Sequence, residues 1–321
     1  MPGTSQLADK MKRYIILIIT VLSAGFVNPL KAQQEAMYSQ YMFNTLAVNP
    51  AYAGSRNVIS AAALYRSQWV NMPGAPKTVT FTVDAPINEK KVGLGFQIFN
   101  DKIGITNTTG AFASYAYRIR MDKGSLSFGL QAGASQYRAD LTQVDLGGTG
   151  TPDDIAFRED VNKILVNFGT GVYYNSDKFY VGLSSPQLLN NKLTDLDAES
   201  SNAFSGQRMH LFLAAGYVFP LNEDFHLKPS FLVKAVKGAP LEGDINGTLW
   251  IKDVLAIGAQ YRTSADIGAM VELQVSPQVR IGYAYDRSVT SLVNYNKGSH
   301  EIMLRYEFGF EKGKIISPRY F

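Results

Sequence analysis

Apolar and polar residues alternate with a period of two along most of the chain after residue 56. In one stretch Val92, Leu94 and Phe96 alternate with glycines and a glutamine. Because successive side chains of a strand point to opposite faces of its sheet, such a stretch predicts a strand with one apolar face and one polar or small face. No segment after the N-terminal region has the spacing of a long amphipathic helix. The pattern predicts an all-β protein.

About fourteen strands follow from this pattern. They are expected near 57–66, 77–85, 91–100, 108–120, 125–137, 163–175, 179–185, 208–219, 225–236, 243–251, 254–262, 266–275, 279–286 and 300–310. Many of them have the length with which a tilted strand crosses a bilayer, about 9–11 residues. Tyrosine, phenylalanine and tryptophan fall mostly near strand ends, where amphipathic rings meet the boundary between lipid and water.

The connections between the strands alternate in length. Even-numbered strands connect to the next strand through short turns at 88–90, 122–124, 175–178, 222–224, 252–253 and 276–278. Odd-numbered strands mostly connect through longer segments at 67–76, 138–162, 186–207 and 287–299, with 263–265 as a short exception. Outer-membrane barrels have short periplasmic turns and longer outer loops. We therefore predict a transmembrane up-and-down antiparallel β-barrel over 57–310; the alternative is a soluble β-sandwich filled by the same aromatic residues.

The N-terminus has the organisation of an export signal. Lys10, Lys12 and Arg13 precede an apolar run at 14–27, and Ala32 offers a small residue for cleavage. The apolar run is shorter than a transmembrane helix, which needs about 20 residues to cross the bilayer. We predict a cleaved signal peptide at 1–32 and delivery to the outer membrane, with an uncleaved anchor as the alternative. A short segment at 33–56 then precedes the barrel, and a periplasmic tail at 311–321 follows it.

Charge and composition exclude several classes of protein. The signal contains four of the 31 basic residues and one of the 27 acidic ones, so 27 and 26 remain in the mature chain. A chain this close to neutrality has no bulk attraction for nucleic acid. The sequence contains no cysteine, which excludes disulfides, thiolate metal sites and a cysteine nucleophile.

Candidate catalytic and metal-binding residues are scarce. His210, His226 and His300 lack the spacing of a metal motif. The GGTG sequence at 147–150 has no following helix to complete a phosphate loop. The acidic residues at 195–199 lack the glycine and the final acidic residue of a calcium loop, which leaves weak divalent binding as a minor alternative. We expect no cofactor, no metal and no catalytic site; a surface hydrolase on a barrel is the disfavoured alternative.

Alternation also predicts which side chains face lipid and which face the lumen. Leu130 and Val271 are expected to face lipid, whereas Gln131 faces the lumen. The charged residues expected on the lumen face are Arg262, Glu272, Arg280, Asp286, Arg305 and Glu307. An unpaired buried charge is costly, so these residues are expected to pair across a narrow or plugged interior. A selectivity lining is the alternative interpretation.

The segment YSQYMFNTLAVNPAYAGS at 38–55 precedes the first strand. Its apolar residues could form one or two short amphipathic turns that end before Pro50, because a residue before proline avoids helical geometry. We expect it to lie in or under the periplasmic mouth of the barrel, tied to backbone groups by Asn44 and Asn49. The alternative is an arm packed against the rim. The candidate motif comprises Tyr41, Phe43, Asn44, Asn49, Pro50, Tyr52 and Gly54.

This motif resembles the N-terminal signature of the PorP/SprF family, outer-membrane components of the type IX secretion system of Bacteroidota. The RSQW and GAP elements at 66–69 and 74–76 are similar to the first hairpin of the family, and SPRYF at 317–321 is similar to its C-terminus. These elements lie at both ends of the chain.

The resemblance implies a role in protein secretion and gliding motility rather than solute uptake. The implied partners are periplasmic and outer-membrane components of the secretion system, and a secreted cargo, such as an adhesin, with a C-terminal sorting domain. The protein would assist export of the cargo or hold it at the cell surface, as a core component or as a paralogue dedicated to one cargo. The alternative with the same barrel is a porin or a transporter of hydrophobic solutes.

Overall fold

The computed structural model describes residues 39–144, 159–192 and 206–308. The predicted signal at 1–32, the tail at 311–321 and the polar loop sequences at 147–150 and 195–199 lie outside these residues. Within the described ranges, no helix is both long enough and apolar enough to cross a membrane.

Fourteen strands form the wall of the barrel. In chain order β1 to β14 are Ile59–Ser67, Lys77–Ile87, Val92–Ile103, Thr106–Met121, Gly124–Ala139, Val161–Asn175, Phe179–Ser185, His210–Tyr217, Phe225–Val236, Glu242–Ile251, Leu255–Arg262, Asp266–Gln274, Val279–Ser288 and Ser299–Phe308. Each strand pairs antiparallel with its neighbours in sequence, and β1 also pairs with β14, so the sheet closes on itself. The predicted all-β barrel and its number of strands are confirmed.

Three short pieces of strand lie at the edges of this wall. Phe219–Pro220 extends β8 and pairs with the start of β9. Asn191–Lys192 and Gly206–Gln207 form a separate two-stranded ladder between β7 and β8. This ladder closes the base of the long connection that joins those two strands.

The period-two pattern sorts side chains to the two faces of the wall. In β14, Ile302 and Leu304 are exposed on the outer face, while Glu301, Met303 and Arg305 are buried on the inner face. In β5, Leu130 is 63% exposed and Gln131 is 6% exposed. An outer band of apolar residues is what lipid solvates, so the wall is built to be surrounded by a bilayer.

We call the two ends of the barrel the short-turn end and the long-loop end. At the short-turn end the connections are brief, as at residues 88–91, 122–123 and 252–254. At the long-loop end they include 68–76, 140–160 and 186–209. The connection from β3 to β4 is shorter than the segment at 101–107 that the expected strand boundaries imply. The ladder continues to the pair Ile103↔Thr106 and leaves a two-residue turn. Asn100 supports this extension by donating hydrogen bonds to Asn107 and Thr109.

Residues 39–56 run through the lumen, and we call them the plug. Every plug residue except Ala47 is buried. Two 3-10 turns, Thr45–Ala47 and Pro50–Tyr52, shape its path. The first ends before Pro50 as expected, but Pro50 itself begins the second, because its fixed φ suits the first position of a helical turn. Apolar plug residues do not share one face, since the lumen wall surrounds the segment on all sides.

Candidate functional site

The plug crosses the lumen and contacts opposite walls. The Tyr41 hydroxyl accepts a hydrogen bond from Asn246 Nδ2 of β10 at 2.7 Å. The Phe43 ring packs edge-on against Trp250 of the same strand, with ring centroids 6.5 Å apart. On the other side, Asn44 Oδ1 accepts a hydrogen bond from Thr82 Oγ1 of β2 at 3.2 Å. The first part of the candidate motif therefore lies inside the barrel rather than under its mouth.

The second part of the motif contacts the β5–β7 side of the wall. Asn49 caps the second 3-10 turn, because its Oδ1 accepts from the backbone amide of Ala51 at 2.9 Å. Its Nδ2 donates to the carbonyl of Val172 at 3.1 Å. The Tyr52 ring packs edge-on against Tyr173, with centroids 5.5 Å apart. Asn49 binds backbone groups, as the sequence suggested, whereas the side chain of Asn44 accepts from the side chain of Thr82.

The plug ends in a tight turn at the short-turn end. Gly54 has a positive φ of 68°, a conformation that glycine adopts without strain. Its amide donates to Asp84 Oδ2 of β2 at 2.8 Å. The carbonyl of the preceding Ala53 accepts from Arg118 Nη2 of β4 at 3.1 Å. These contacts fix the direction in which the chain leaves the lumen and enters β1.

Inward-facing glycines of the wall make room for the plug. A Cβ atom at Gly93 would lie 1.9 Å from the carbonyl oxygen of Ala53. A Cβ at Gly129 would lie 2.1 Å from the amide nitrogen of Ala51, and one at Gly171 would lie 2.2 Å from Asn49 Oδ1. Real Cβ atoms do not approach other atoms so closely. The sequence identified this face only as small; the structure shows that it is a groove fitted to the plug.

An ionic cluster toward the long-loop end holds the beginning of the plug. Arg66 Nη1 donates to Asp286 Oδ2 at 2.8 Å and to Glu301 Oε2 at 3.0 Å. The two carboxylate oxygens of Glu301 accept from the backbone amides of Ser39, at 2.9 Å, and Gln40, at 2.8 Å. The Ser39 hydroxyl also bonds Asp286. Sequence reasoning missed Arg66 and Glu301, although Glu301 shares the inward parity of two residues it did select on β14.

The six selected lumen charges are all buried, but they do not form one site. Arg262 bonds Asp244 at 2.9 and 3.0 Å toward the long-loop end. Arg280 bonds Glu272 at 2.9 Å toward the short-turn end, where Glu307 accepts from Arg56 at 2.6 Å. Asp286 belongs to the cluster with Arg66. Arg305 is 3% exposed, and its Nε has no hydrogen-bond partner among the described residues.

The buried charges are distributed unequally along the lumen. Toward the long-loop end three cations face three carboxylates: Arg66, Lys234, Arg262, Asp244, Asp286 and Glu301. Toward the short-turn end five cations face three carboxylates: Arg56, Arg118, Lys228, Arg280, Arg305, Asp84, Glu272 and Glu307. Among the described buried residues, basic side chains therefore outnumber carboxylates in the short-turn half of the lumen but not in the long-loop half.

The described histidines have ordinary polar neighbours. His210 Nδ1 lies 2.8 Å from the carbonyl of Arg208, and His300 Nδ1 lies 2.7 Å from the Tyr283 hydroxyl. His226 Nδ1 lies 3.8 Å from an Asp253 oxygen. Within residues 39–144, 159–192 and 206–308, no three His, Cys, Asp or Glu side chains are grouped as a metal site would require.

The bases of the two longest loops at the long-loop end are fixed by side chains. Asp160 Oδ1 accepts from the amide and the hydroxyl of Thr142, at 3.0 and 2.9 Å, and these bonds to the ionised carboxylate lower the pKa of Asp160. Asn167, buried in β6, accepts from the amides of Leu188 and Leu189 at 2.9 and 3.0 Å. The loops therefore begin and end on a rigid scaffold.

Comparison with solved structures finds outer-membrane proteins of low similarity. Omp33 of Acinetobacter baumannii is 8% identical with a TM-score of 0.46, and the alignment covers 78% of this chain and 99% of that one. A Pseudomonas aeruginosa FadL homologue is 13% identical with a TM-score of 0.44, covering 84% and 94%. The KdgM porin is 10% identical with a TM-score of 0.37, covering 78% and 99%. At these scores the likeness carries no argument about function.

Comparison by sequence is more specific. No curated protein matches the chain. The family described as "Type IX secretion system membrane protein PorP/SprF" matches residues 30–306, which include the plug and nearly the whole barrel. That range also contains the motif at 41–54 and the first hairpin on which the resemblance rested. The chain belongs to the PorP/SprF family of type IX secretion system membrane proteins.

Proposed function

We propose that this protein assists the export or the surface attachment of secreted proteins that carry a C-terminal sorting domain. Family membership places it among type IX secretion membrane proteins, and its lipid-facing barrel suits the outer membrane. We further propose that a cleaved signal at 1–32 delivers it there, with the short-turn end in the periplasm. The plug is the structural observation that supports a role as a component of the secretion machinery rather than as a channel for solutes.

A filled lumen is the reason for preferring this function to a porin. Ser39, Ala51 and Ala53 are completely buried, and the plug bonds β2 on one side of the lumen and β10 on the other. A diffusive porin requires a water-filled path, and a folded cargo would require a far wider one. The protein would therefore act through its two rims. In planar bilayers, purified protein should show no steady conductance; a stable open channel would favour the porin alternative.

The rim at the long-loop end is the proposed surface for cargo. Recognition segments are commonly carried on loops held by a rigid scaffold. The connections 140–160 and 186–209 are anchored at their bases by Asp160 and Asn167. The rim at the short-turn end would contact periplasmic components. The motif residues Tyr41 and Asn44 are buried in the plug, so their substitution is expected to disturb the barrel interior first, not a periplasmic contact.

Deletion of the gene, followed by comparison of the secreted and surface proteomes, is the direct test. Loss of one or a few proteins with a C-terminal sorting domain would indicate a dedicated partner, and loss of all of them would indicate a core component. An unchanged proteome would contradict the proposed role in secretion.

Loop replacement tests where the cargo binds. Replacing residues 145–158 or 193–205 by a short Gly-Ser linker should leave the barrel folded, because loop closure depends weakly on loop length. Co-purification of cargo should fall. The matched control is the same replacement at 237–241, a connection at the same end. If both long-loop variants retain full cargo association while the barrel is intact, the outer loops are not the recognition surface.

A further inference from the structure

A row of basic side chains crosses the outer face of the wall near the long-loop end. Lys77 of β2 is directly opposite Lys102 of β3, and Lys102 is opposite Asn107 of β4. Asn107 is in turn opposite Arg138 of β5. Lys77, Lys102 and Arg138 are exposed, and we call these three residues the basic row. Since neighbouring strands are about 4.8 Å apart, the row is roughly 14 Å wide.

The carboxylate beside this row in the sequence faces the other way. Asp101 and Thr78 point to the inner face, where the Thr78 hydroxyl donates to Asp101 Oδ1 at 2.6 Å. Within the ranges that the structure describes, none of the three basic side chains forms an ion pair. Like charges directly opposite each other in a ladder are destabilising. The pair Lys77 and Lys102 is therefore favourable only beside an anion.

The basic row lies at the level where the hydrocarbon of a bilayer ends. Lys102 is ten positions after Val92, the first residue of β3, and a tilted strand crosses the hydrocarbon in about 9–11 residues. One level below the row, Asn100 Nδ2 donates to Thr109 Oγ1 at 2.8 Å. One level further down, Ile98 is 42% exposed. From the lipid toward the long-loop end, the outer face thus changes from apolar to amide and hydroxyl, and then to basic.

Basic residues at the short-turn end have a different setting. Three exposed lysines there are each next to an aspartate in a turn: Lys123 after Asp122, Lys178 after Asp177 and Lys252 before Asp253. Mixed signs weaken the field that a distant charge experiences, whereas cations grouped on one surface reinforce it. The basic row is therefore the part of the outer wall best suited to attract an anionic surface.

Position and charge together select the kind of anion. Ammonium and guanidinium groups donate charge-assisted hydrogen bonds to phosphate oxygens. A free phosphate ion would contact only the cations. A membrane lipid with a phosphate on its headgroup would contact the cations and also lay its acyl chains along the apolar residues below them, such as Ile98 and Phe81, which are 42% and 43% exposed. The width of the row also exceeds one phosphate group and suits a lipid surface.

We propose that the basic row binds the headgroup phosphates of an anionic membrane lipid. The phosphates offset the repulsion between Lys77 and Lys102, and the acyl chains cover the apolar outer face of β2 and β3. With the long-loop end at the cell surface, this lipid belongs to the outer leaflet. Only the choice of leaflet rests on the proposed function, because lipid binding by the wall does not require secretion.

The test measures retention of radiolabelled lipid A, whose headgroup carries phosphates, by the immobilised full-length barrel in detergent. Each basic residue near an anionic surface contributes about a fivefold gain in affinity, so dephosphorylated lipid A should bind at least ~10-fold more weakly. Equal retention of the two lipids would mean that the acyl chains bind alone, and would overturn the proposal. Competition by sodium phosphate beyond that of sodium chloride at equal ionic strength would assign the row to a free anion instead.

A triple variant tests the residues. Lys77→Gln with Lys102→Gln and Arg138→Gln should lower lipid A retention at least ~10-fold. The matched control, Lys123→Gln with Lys178→Gln and Lys252→Gln, removes the same charge from exposed turns at the short-turn end and should bind like the parent. Unchanged retention in the first variant would refute the site, and an equal loss in both would reduce the effect to net charge.

Single substitutions cover poor assembly of the triple variant. Lys102→Glu reverses the central charge of the row and should weaken retention at least ~5-fold, whereas Lys102→Arg keeps the charge and should bind like the parent. Heat-modifiable gel mobility shows that both barrels are folded. Equal retention by these two variants would contradict the proposal. An unchanged proteome after gene deletion would contradict the secretion role without affecting this result, so the two failures are distinguishable.

Discussion

The outer and inner faces of the wall are formed by the same strands but are stabilised differently. On β14 the outward residues Ile302 and Leu304 are about half exposed, at 51% and 49%, whereas the inward Glu301 accepts hydrogen bonds from two backbone amides of the plug. Lipid solvates any apolar side chain of suitable size, so the outer face needs only the right class of residue. The inner face is closely packed, and each polar atom needs its own partner. On the outer face, a substitution should therefore be tolerated as long as the new residue is apolar. On the inner face, the effect of a substitution should depend on which particular side chain is replaced.

The largest effect is expected for Glu301→Gln. The variant keeps the shape of the side chain but removes the charge that Arg66 and the amides of Ser39 and Gln40 contact. Removing one member of a buried ion pair costs about 3–5 kcal/mol. The urea midpoint of unfolding, measured in lipid vesicles, should fall accordingly.

The control for this prediction is an ion pair outside the lumen. Glu89 lies 3.9 Å from Lys91 and its side chain is 84% exposed. Exposed pairs contribute little, so Glu89→Gln should leave the urea midpoint unchanged. Equal midpoints for the Glu301 and Glu89 variants would mean that the ionic cluster does not stabilise the barrel.

Leu130→Arg should have the next largest effect. Leu130 is 63% exposed on the outer face of β5, and a charge facing the middle of the bilayer costs roughly 2–4 kcal/mol in a barrel. The fraction of protein with the heat-modifiable mobility of the folded barrel measures this cost. Leu130→Phe, which keeps the apolar class, should assemble as well as the parent. Normal assembly of the arginine variant would place Leu130 away from the lipid.

Gly93→Ala examines the fit between the wall and the plug. The added Cβ would occupy the space of the Ala53 carbonyl, 1.9 Å away, so the plug has to shift. Overpacking of this kind typically costs about 1–3 kcal/mol. Gly247→Ala is the matched control, because nothing lies within 4 Å of its added Cβ. Similar unfolding midpoints for both variants would show that the plug does not pack against β3 as described.

The smallest effect on stability is expected for single cysteines used as probes. Ser114 faces the lumen and is 6% exposed, so Ser114→Cys should resist a water-soluble maleimide while the barrel is folded. Tyr295, 71% exposed at the long-loop end, should react as cysteine in intact cells. Asp177→Cys at the short-turn end should react only after the outer membrane is opened.

Each outcome of this labelling is informative because the parent has no cysteine. Rapid reaction at position 114 would mean that water fills the lumen. Reversed accessibility at 295 and 177 would mean that the barrel is inserted with the opposite orientation.

The alternation of the chain was sufficient to predict the strands and their faces. The side chains of Leu130 and Gln131 lie outside and inside as expected, because a strand turns successive residues to opposite sides whatever surrounds it. The ends of β3, β4 and β5 were less predictable. Those strands extend past the expected boundaries where polar pairs, such as Thr78 Oγ1 with Asp101 at 2.6 Å, prolong the ladder.

The sequence-based interpretation of the lumen was incomplete for a related reason. Alternation places Gln131 on the polar inner face, and a polar face by itself would accommodate an arginine at this position. Gln131 instead lies in a packed region, beside the plug groove at Gly129, and accepts a bond from Ser114. Alternation shows that a residue faces inward but not what it meets there.

The sequence by itself thus determined the class of fold, the number of strands, the two faces of the wall and the family. Only the tertiary structure decided the course of the plug and the partner of each buried charge. Ser39 meets Glu301 across 262 positions of sequence, and Arg56 meets Glu307 across 251. Period-two alternation is a local property of neighbouring residues. Pairings across such distances arise only when the barrel closes and brings its last strand beside its first.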